Sequence, residues 1–236
     1  MTLPFFYIDK YDAVQHQLVL NEETSRHVIQ VLRMKVGEQL NLTDGKGNLI
    51  NCTIADDHKK HCSVIATTIS YQPPATTKNS IAISLLKNTN RFEWFLEKAT
   101  EIGVSEIIPL ICERTEKEKF RYDRLQQICI SAMLQSQQVW LPTLHQPIAF
   151  EQLFRQEEVA NSGNKFIAHC IEGNKTQLTS KKIDSSSVIC IGPEGDFTPQ
   201  EIEMALQQHF IPVSLGDKRL RTETAGVVAA TLLCLI

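Results

Sequence analysis

The chain contains no C-x-x-C pair, no P-loop string, no internal repeat and no low-complexity tract. Structural zinc sites of the usual spacing, dithiol redox chemistry and P-loop phosphate binding are thereby excluded. No apolar run approaches the ~18 residues that span a bilayer, and the first residues, MTLPFFYIDKYD, lack both the basic flank and the apolar core of a signal peptide. A cytoplasmic protein is predicted. Excess positive charge is missing as well: 24 Lys and Arg stand against 27 Asp and Glu, a formal net charge of -3. Such a balance excludes a protein that coats nucleic acid by bulk electrostatics, so any polyanion must be met by local patches.

The seven cysteines form an odd set, and most sit in apolar runs such as 128–130, 189–191 and 233–235. They read as reduced core residues, because a free thiol behaves as a small hydrophobe. Trp94 and Trp140 also sit among apolar neighbours and read as core. Asp56, Asp57, His58 and His61 are metal-ligand types at close spacing, but they fall between two strand runs where a polar turn is expected. No metal site is predicted.

Two prolines in the tract 71–80 interrupt regular structure and divide the chain into residues 1–72 and 73–236. In the first part, alternating runs at 14–20, 39–43, 49–54 and 62–69 read as strands. The turn Asp44-Gly45-Lys46-Gly47-Asn48 supplies residues that tolerate positive φ. One helix, capped by Thr24 or Ser25, carries Val28, Ile29, Leu32 and Val36 at helical spacing. A small β-barrel with one helix is expected.

The second part alternates strand and helix. A buried strand at 81–86 is followed by Asn90 as a cap, a helix with Phe92, Phe95, Leu96 and Ala99 on one face, Gly103 as its stop, and a strand at 104–112. Helices around 122–138 and 150–158 and strands at 166–170 and 188–191 complete an α/β domain with a mostly parallel sheet. The segment 85–90 holds no glycine, which excludes a dinucleotide-type glycine loop after the first strand. Lys117, Lys119, Arg121 and Arg124 alternate with Glu116, Glu118 and Asp123 and read as a solvated helix start.

Two glycine loops near the C-terminus each join a strand to a helix, where open α/β sheets bind ligands. The first is Ile191-Gly192-Pro193-Glu194-Gly195-Asp196-Phe197, followed by Thr198-Pro199-Gln200-Glu201, a capping box with proline at the first helical position. The second runs from Leu215 and Gly216 through Asp217, Lys218, Arg219, Leu220, Arg221, Thr222, Glu223 and Thr224 to Ala225, ahead of an apolar helix at 226–236. Lys218, Arg219 and Arg221 just before a helix start suit a phosphate or a developing anion.

In order and spacing these loops resemble the paired cofactor loops of the SPOUT superfamily, and specifically the RsmE family, which methylates N3 of a uridine in 16S ribosomal RNA. The strings that carry the resemblance are GPEG at 192–195 with Glu201, and LG with LRTETA within 215–225. Support comes from KATEIGV at 98–104 with Pro109 and Arg114, Gln135-Ser136 with Pro142, and His27, Val31-Leu32-Arg33 and Gly37. Four positions depart from the family pattern: Leu134, Gln138, Asp196 where a second glycine is common, and Lys218 where Arg is usual.

The resemblance implies a PUA-like RNA-binding barrel (1–72), a trefoil-knotted methyltransferase domain (73–236), a homodimer, S-adenosylmethionine as cofactor and 16S rRNA as partner. It places the cofactor on Ile191, Gly192, Pro193, Glu194, Gly195, Leu215, Gly216, Leu220, Thr222 and Ala225. Arg221 is the candidate for stabilising charge that develops on the uridine, and Glu223 either accepts a proton or favours the helix N-terminus. Lys218, Arg219, Arg33, Lys35 and His27 are candidates for RNA contact. A non-catalytic RNA-binding or ribosome-assembly factor of the same fold, or a SPOUT enzyme acting on another RNA position, is the alternative, since cofactor loops do not name the acceptor atom.

Overall fold

The computed structural model describes residues 3–11, 16–116, 119–172, 175–181, 183 and 185–235. Val14 at the head of the first expected strand, Lys117 and Glu118 of the charge cluster, and Ile236 lie outside them. The chain divides into two compact units: Met1–Pro74 together with Met133–Leu141, and Ala75–Ala132 together with Pro142–Ile236.

The first unit contains β1 (Phe5–Tyr7), β2 (Gln17–Val19), α1 (Glu22–Arg26) running on into a π-helical turn (His27–Val31), β3 (Gln39–Thr43), β4 (Asn48–Asp56) and β5 (Ser63–Tyr71). They form a five-stranded sheet in the order β1-β3-β4-β5-β2, antiparallel except for the β1–β3 pair. Alternation along the strands sends Leu40, Leu42, Ile50, Cys52, Ile54 and Val64 to one core with Val28 and Leu20. The helix starts earlier than its expected caps: Asn21 Oδ1 accepts the Thr24 N–H at 2.8 Å. Ser25 is instead buried, its hydroxyl donating to the Leu20 carbonyl and accepting from Cys62 N–H. Leu32 and Val36 are exposed because the helical turns end at Val31.

The hairpin turn between β3 and β4 is held by Asp44, whose carboxylate accepts the Lys46 N–H at 2.9 Å and the Asn48 side-chain amide at 2.7 Å. Residues 139–141 add a second layer of bonds to it. Gly47 N–H donates to the Val139 carbonyl at 2.9 Å, and Leu141 N–H donates to the Gly45 carbonyl at 2.9 Å. Trp140 is half-buried; its indole N–H donates to Gln72 O at 3.0 Å, and its ring meets Tyr71 edge-on. These bonds put Met133–Leu141 with the first unit, although the sequence gives no sign of leaving the second.

The second unit contains β6 (Asn79–Ser84), α2 (Thr89–Ile102), β7 (Glu106–Ile111), α3 (Tyr122–Gln135), β8 (Thr143–Leu144), β9 (Ile148–Ala149), α4 (Phe150–Leu153), α5 (Glu157–Ala160), β10 (Asn164–Ala168), β11 (Thr176–Gln177), β12 (Ser187–Ile191), α6 (Pro199–Gln207), β13 (Ile211–Ser214) and α7 (Thr222–Cys234), with the last residues of α3 grouped in the first unit. The strands form one parallel sheet in the order β11-β13-β10-β12-β6-β7-β8, with β9 also paired to β7. Helix α2 is capped by Asn88, whose side chain accepts the Asn90 N–H, and it stops at Gly103 in a left-handed conformation. The stretch expected as one helix at 150–158 is two short ones, α4 and α5. Trp94, expected in the core, is 43% exposed on α2.

After β13 the chain turns back over the sheet. That strand lies beyond β10, whereas α7 packs against α2, β6 and β12. The segment 215–221 therefore crosses the carboxyl ends of β10 and β12.

Gly47 has φ +93°, and a Cβ there would lie 2.7 Å from Gln72 O and from the Trp140 ring. Gly47→Ala is expected to destabilise the protein by about 2 kcal/mol or more, through backbone strain and the clash together. Urea unfolding monitored by tryptophan fluorescence measures it.

Candidate active site

The loop leaving β12 is shaped by packing. Ile191 ends the strand buried, and a Cβ on Gly192 would lie 3.0 to 3.2 Å from the Phe197 ring and backbone nitrogen, so a larger residue here would press on this fully buried ring. Asp196 N–H donates to Pro193 O at 2.9 Å, closing the turn, and Asp196 itself has φ +64°. Behind the loop the capping box forms as the sequence predicts: Glu201 Oε2 accepts from the Thr198 N–H at 2.8 Å, and Thr198 Oγ1 accepts the Glu201 N–H.

The other oxygen of this buried carboxylate, Glu201 Oε1, accepts the Glu113 N–H at 2.9 Å, just past β7. Next to it Arg114 donates from Nη1 to Gly195 O at 2.8 Å, and Lys87 N–H donates to Glu194 Oε1 at 3.3 Å. The glycine loop is thus fastened to the exits of both β6 and β7.

The second loop, 215–221, lies against Ser214, whose hydroxyl donates to Gly216 O at 2.9 Å. Helix α7 begins at Thr222, not at 226, with Arg221 at its N-cap and Ala225 N–H bonded to Arg221 O at 2.8 Å. Lys218, Arg219 and Arg221 therefore stand directly at the positive end of a 13-residue helix. All three are exposed, and none forms an ion pair among the described residues.

Between the loops lies a third wall that no sequence motif marks. The strand predicted at 166–170 ends at Ala168, and His169, Cys170 and Lys175 face the same cavity as the two loops. Cys170 is exposed, unlike the core role expected of it, whereas Cys52, Cys62, Cys112, Cys129 and Cys190 are buried. Burial pushes the Cys112 thiol up to about 12. Burial, with Lys175 beside it, holds the His169 imidazole below its ordinary pKa, against a smaller upward pull from Asp196.

The cavity these walls enclose has a volume of about 650 Å³, within the range of small-molecule sites. Ile191, Gly192, Pro193, Glu194, Leu215, Gly216, Leu220, Thr222 and Ala225 line it, together with Lys218, Arg219 and Arg221. Asp196 and Asp217, members of the two loops not assigned to the cofactor from the sequence, also line it, and Ala168, His169, Cys170, Lys175, Val213 and Ser214 are the lining residues that sequence reasoning missed. Gly195 and Glu223 are not part of the lining. The carbonyl of Gly195 is engaged by Arg114, and Glu223 is buried with Oε1 3.6 Å from Arg91 Nε and Oε2 without a hydrogen bond. A smaller cavity of about 250 Å³ beside α2, lined by Leu85, Phe92, Phe120 and Arg121 among others, has no glycine loop.

His27, Arg33 and Lys35 belong to the first unit and are exposed there. The His27 ring meets Phe6 edge-on at 5.7 Å, Lys35 Nζ lies 3.6 Å from Asp57, and Arg33 has φ +58°, a left-handed conformation directly after the π-helical turn. Among the described residues no group of three or more His, Cys, Asp and Glu is arranged to hold a metal ion. The His58 and His61 rings stack face to face.

The RNA methyltransferase domain family matches residues 73–234, two thirds of the chain. The chain belongs to this family. The RNA methyltransferase PUA domain family matches residues 20–67 of the same chain. Similar proteins match along most of the chain. The ribosomal RNA small subunit methyltransferase E of Synechocystis is 29% identical over 92% of this chain and 72% of its own. The structure of a probable rRNA methyltransferase from Porphyromonas gingivalis is 34% identical, covers 98% of both chains and superposes with a TM-score of 0.89. The ribosomal RNA small subunit methyltransferase E of Neisseria gonorrhoeae, solved bound to S-adenosyl methionine, is 27% identical over 97% of this chain and 95% of that one, with a TM-score of 0.85.

In this RNA methyltransferase the depressed His169 pKa has a thermodynamic consequence. An unfolded histidine titrates near about 6.5, and the folded one lower, so between the two values the unfolded chain binds more protons. Stability is therefore present above the unfolded pKa and lost as the pH falls toward the folded one. Melting temperatures measured from pH 7.5 to 5 should fall less steeply for His169→Gln than for the natural chain.

Proposed function

We propose that the protein transfers the methyl group of S-adenosylmethionine to N3 of a uridine in 16S ribosomal RNA. The single observation that carries this reading is the cavity formed where the 192–196 and 215–221 loops meet at the carboxyl ends of β12, β10 and β13, in a chain of RNA methyltransferase family membership. Its chemistry fits the cofactor. Ile191, Pro193, Val213, Leu215, Leu220 and Ala225 offer apolar surface to an adenine, while Glu194 and Asp217 offer carboxylates to a sulfonium and an ammonium group. The cofactor, when bound, supplies an electrophilic methyl group.

The chain's own residues then have to position the acceptor and stabilise its charge. Uridine N3 becomes nucleophilic as negative charge spreads over O2, N3 and O4. Arg221, exposed at the N-cap of α7 and without an ion pair among the described residues, is suited to stabilise that charge, helped by the helix dipole. Lys218 and Arg219 on the same loop are suited to RNA phosphate. Glu223, turned to Arg91 and away from the cavity, is assigned to the helix N-terminus and not to proton transfer.

The first unit is proposed to bind RNA through the exposed His27, Arg33 and Lys35, so that residues 1–72 read the substrate and 73–236 modify it. We further propose a homodimer acting on the small ribosomal subunit in the cytoplasm, and a trefoil knot made where 215–221 crosses the sheet. No described helix is long and apolar enough to cross a membrane.

Arg221→Ala is expected to retain S-adenosylmethionine binding and to lose about 100-fold or more in methylation rate. Incubation with labelled cofactor and unmodified small subunits, followed by nucleoside mass spectrometry, measures it. Wild-type turnover in the variant would remove Arg221 from catalysis, and methylated ribose or guanine in place of N3-methyluridine would overturn the substrate assignment.

A further inference from the structure

Asp196 is one of the described non-glycine residues with a positive φ, and its side chain explains how that conformation is held. At φ +64° the backbone adopts the left-handed conformation that glycine enters freely and that aspartate tolerates better than most residues. The side chain then makes two bonds that glycine cannot make. Oδ1 accepts the Phe197 N–H at 2.9 Å, which steadies its own turn. Oδ2 reaches another loop, accepting the Cys170 N–H at 2.8 Å.

The second bond joins separate walls of the cavity. Cys170 follows β10, the strand between β12 and β13, so residues 169 and 170 lie between the two glycine loops. From the other side Lys175 Nζ donates to the His169 carbonyl at 3.0 Å. The start of this wall is thus held by two charged side chains, one from the 192–197 loop and one from its own loop. Cys170 itself is exposed, so its amide has little burial to protect it if the carboxylate is removed.

We propose that Asp196 is a positioning residue: it latches the exit of β10 to the 192–197 loop and thereby fixes the wall against which the cofactor binds. A carboxylate accepting a backbone N–H is a charge-assisted bond, shorter and stronger than one between neutral groups. The inference rests on reading the cavity as the cofactor pocket, but the latch itself exists without a ligand.

Both parts are tested on the full chain with Asp196→Gly, whose backbone fits φ +64°, and Asp196→Asn, whose side chain keeps a single carbonyl oxygen for the two amides. Hydrogen exchange at the Cys170 amide reads the latch, and the dissociation constant of S-adenosylhomocysteine reads its effect on the pocket. Alkylation of Cys170 by N-ethylmaleimide, mapped by peptide mass spectrometry, gives a further measure of the wall. For Asp196→Gly we expect exchange and alkylation to quicken and the affinity to fall about 10-fold, equivalent to about 1.4 kcal/mol. Asp196→Asn should fall between the two proteins.

Natural exchange rates and natural affinity in Asp196→Gly would overturn the proposal. Faster exchange with unchanged affinity would also overturn it, leaving a bond with no effect on the pocket. If the natural chain itself fails to bind S-adenosylhomocysteine, the cofactor reading falls, while the exchange rate still judges the latch. Should Asp196→Gly not fold, the Asn variant is judged by the same criteria.

Discussion

Strand β10 is hydrogen-bonded between β12 and β13, with Phe166 aligned to Ile189 on one side and to Ile211 on the other. Because all three strands are parallel, their carboxyl ends open at the same edge, and the loops that leave them are brought side by side. Everything in the candidate site depends on that register. The 192–197 loop, the 169–175 loop and the 215–221 loop have no shared local sequence pattern. They form one cavity because apolar strands such as Ser187–Ile191, buried along their whole length, can be accommodated only inside a sheet covered on both faces.

On this frame, buried polar groups fix the loops. The Glu201 carboxylate meets three N–H or O–H groups of Thr198 and Glu113, with no cationic partner among the described residues, so it closes the first turn of α6 and fastens the glycine loop to β7 at once. Asp196 does the corresponding work toward β10. The basic residues of the other loop are treated differently: Lys218, Arg219 and Arg221 are left exposed, with no ion pair among the described residues. Exposed surface charge contributes little to folding, so this cluster is not what holds the loop in place.

Much of the local structure could be read residue by residue. The capping box Thr198–Glu201, the turn at Asp44–Asn48 and the stop at Gly103 all rest on chemistry within a few positions, and each forms where the sequence places it. Element edges were less legible. Thr24 and Asn90 are good caps in isolation, but Asn21 and Asn88 lie where the chain actually enters the helix. Trp94 has apolar neighbours in sequence and yet faces outward, because helix periodicity and not local composition decides the buried face.

The sequence by itself determined that the chain has a β-rich first part and an α/β second part, and that two glycine loops precede helices near its end. It also determined the resemblance to a methyltransferase family. Only the tertiary structure decided that Met133–Leu141 groups with the first unit, that Glu223 turns to Arg91, and that His169, Cys170 and Asp196 complete the cavity. The physical reason is the same in each case. Caps, turns and periodic faces are set by neighbours a few residues apart, whereas Gly47 to Val139, Cys170 to Asp196 and Glu113 to Glu201 are bonds between distant segments whose partners become known only once the strands are in register.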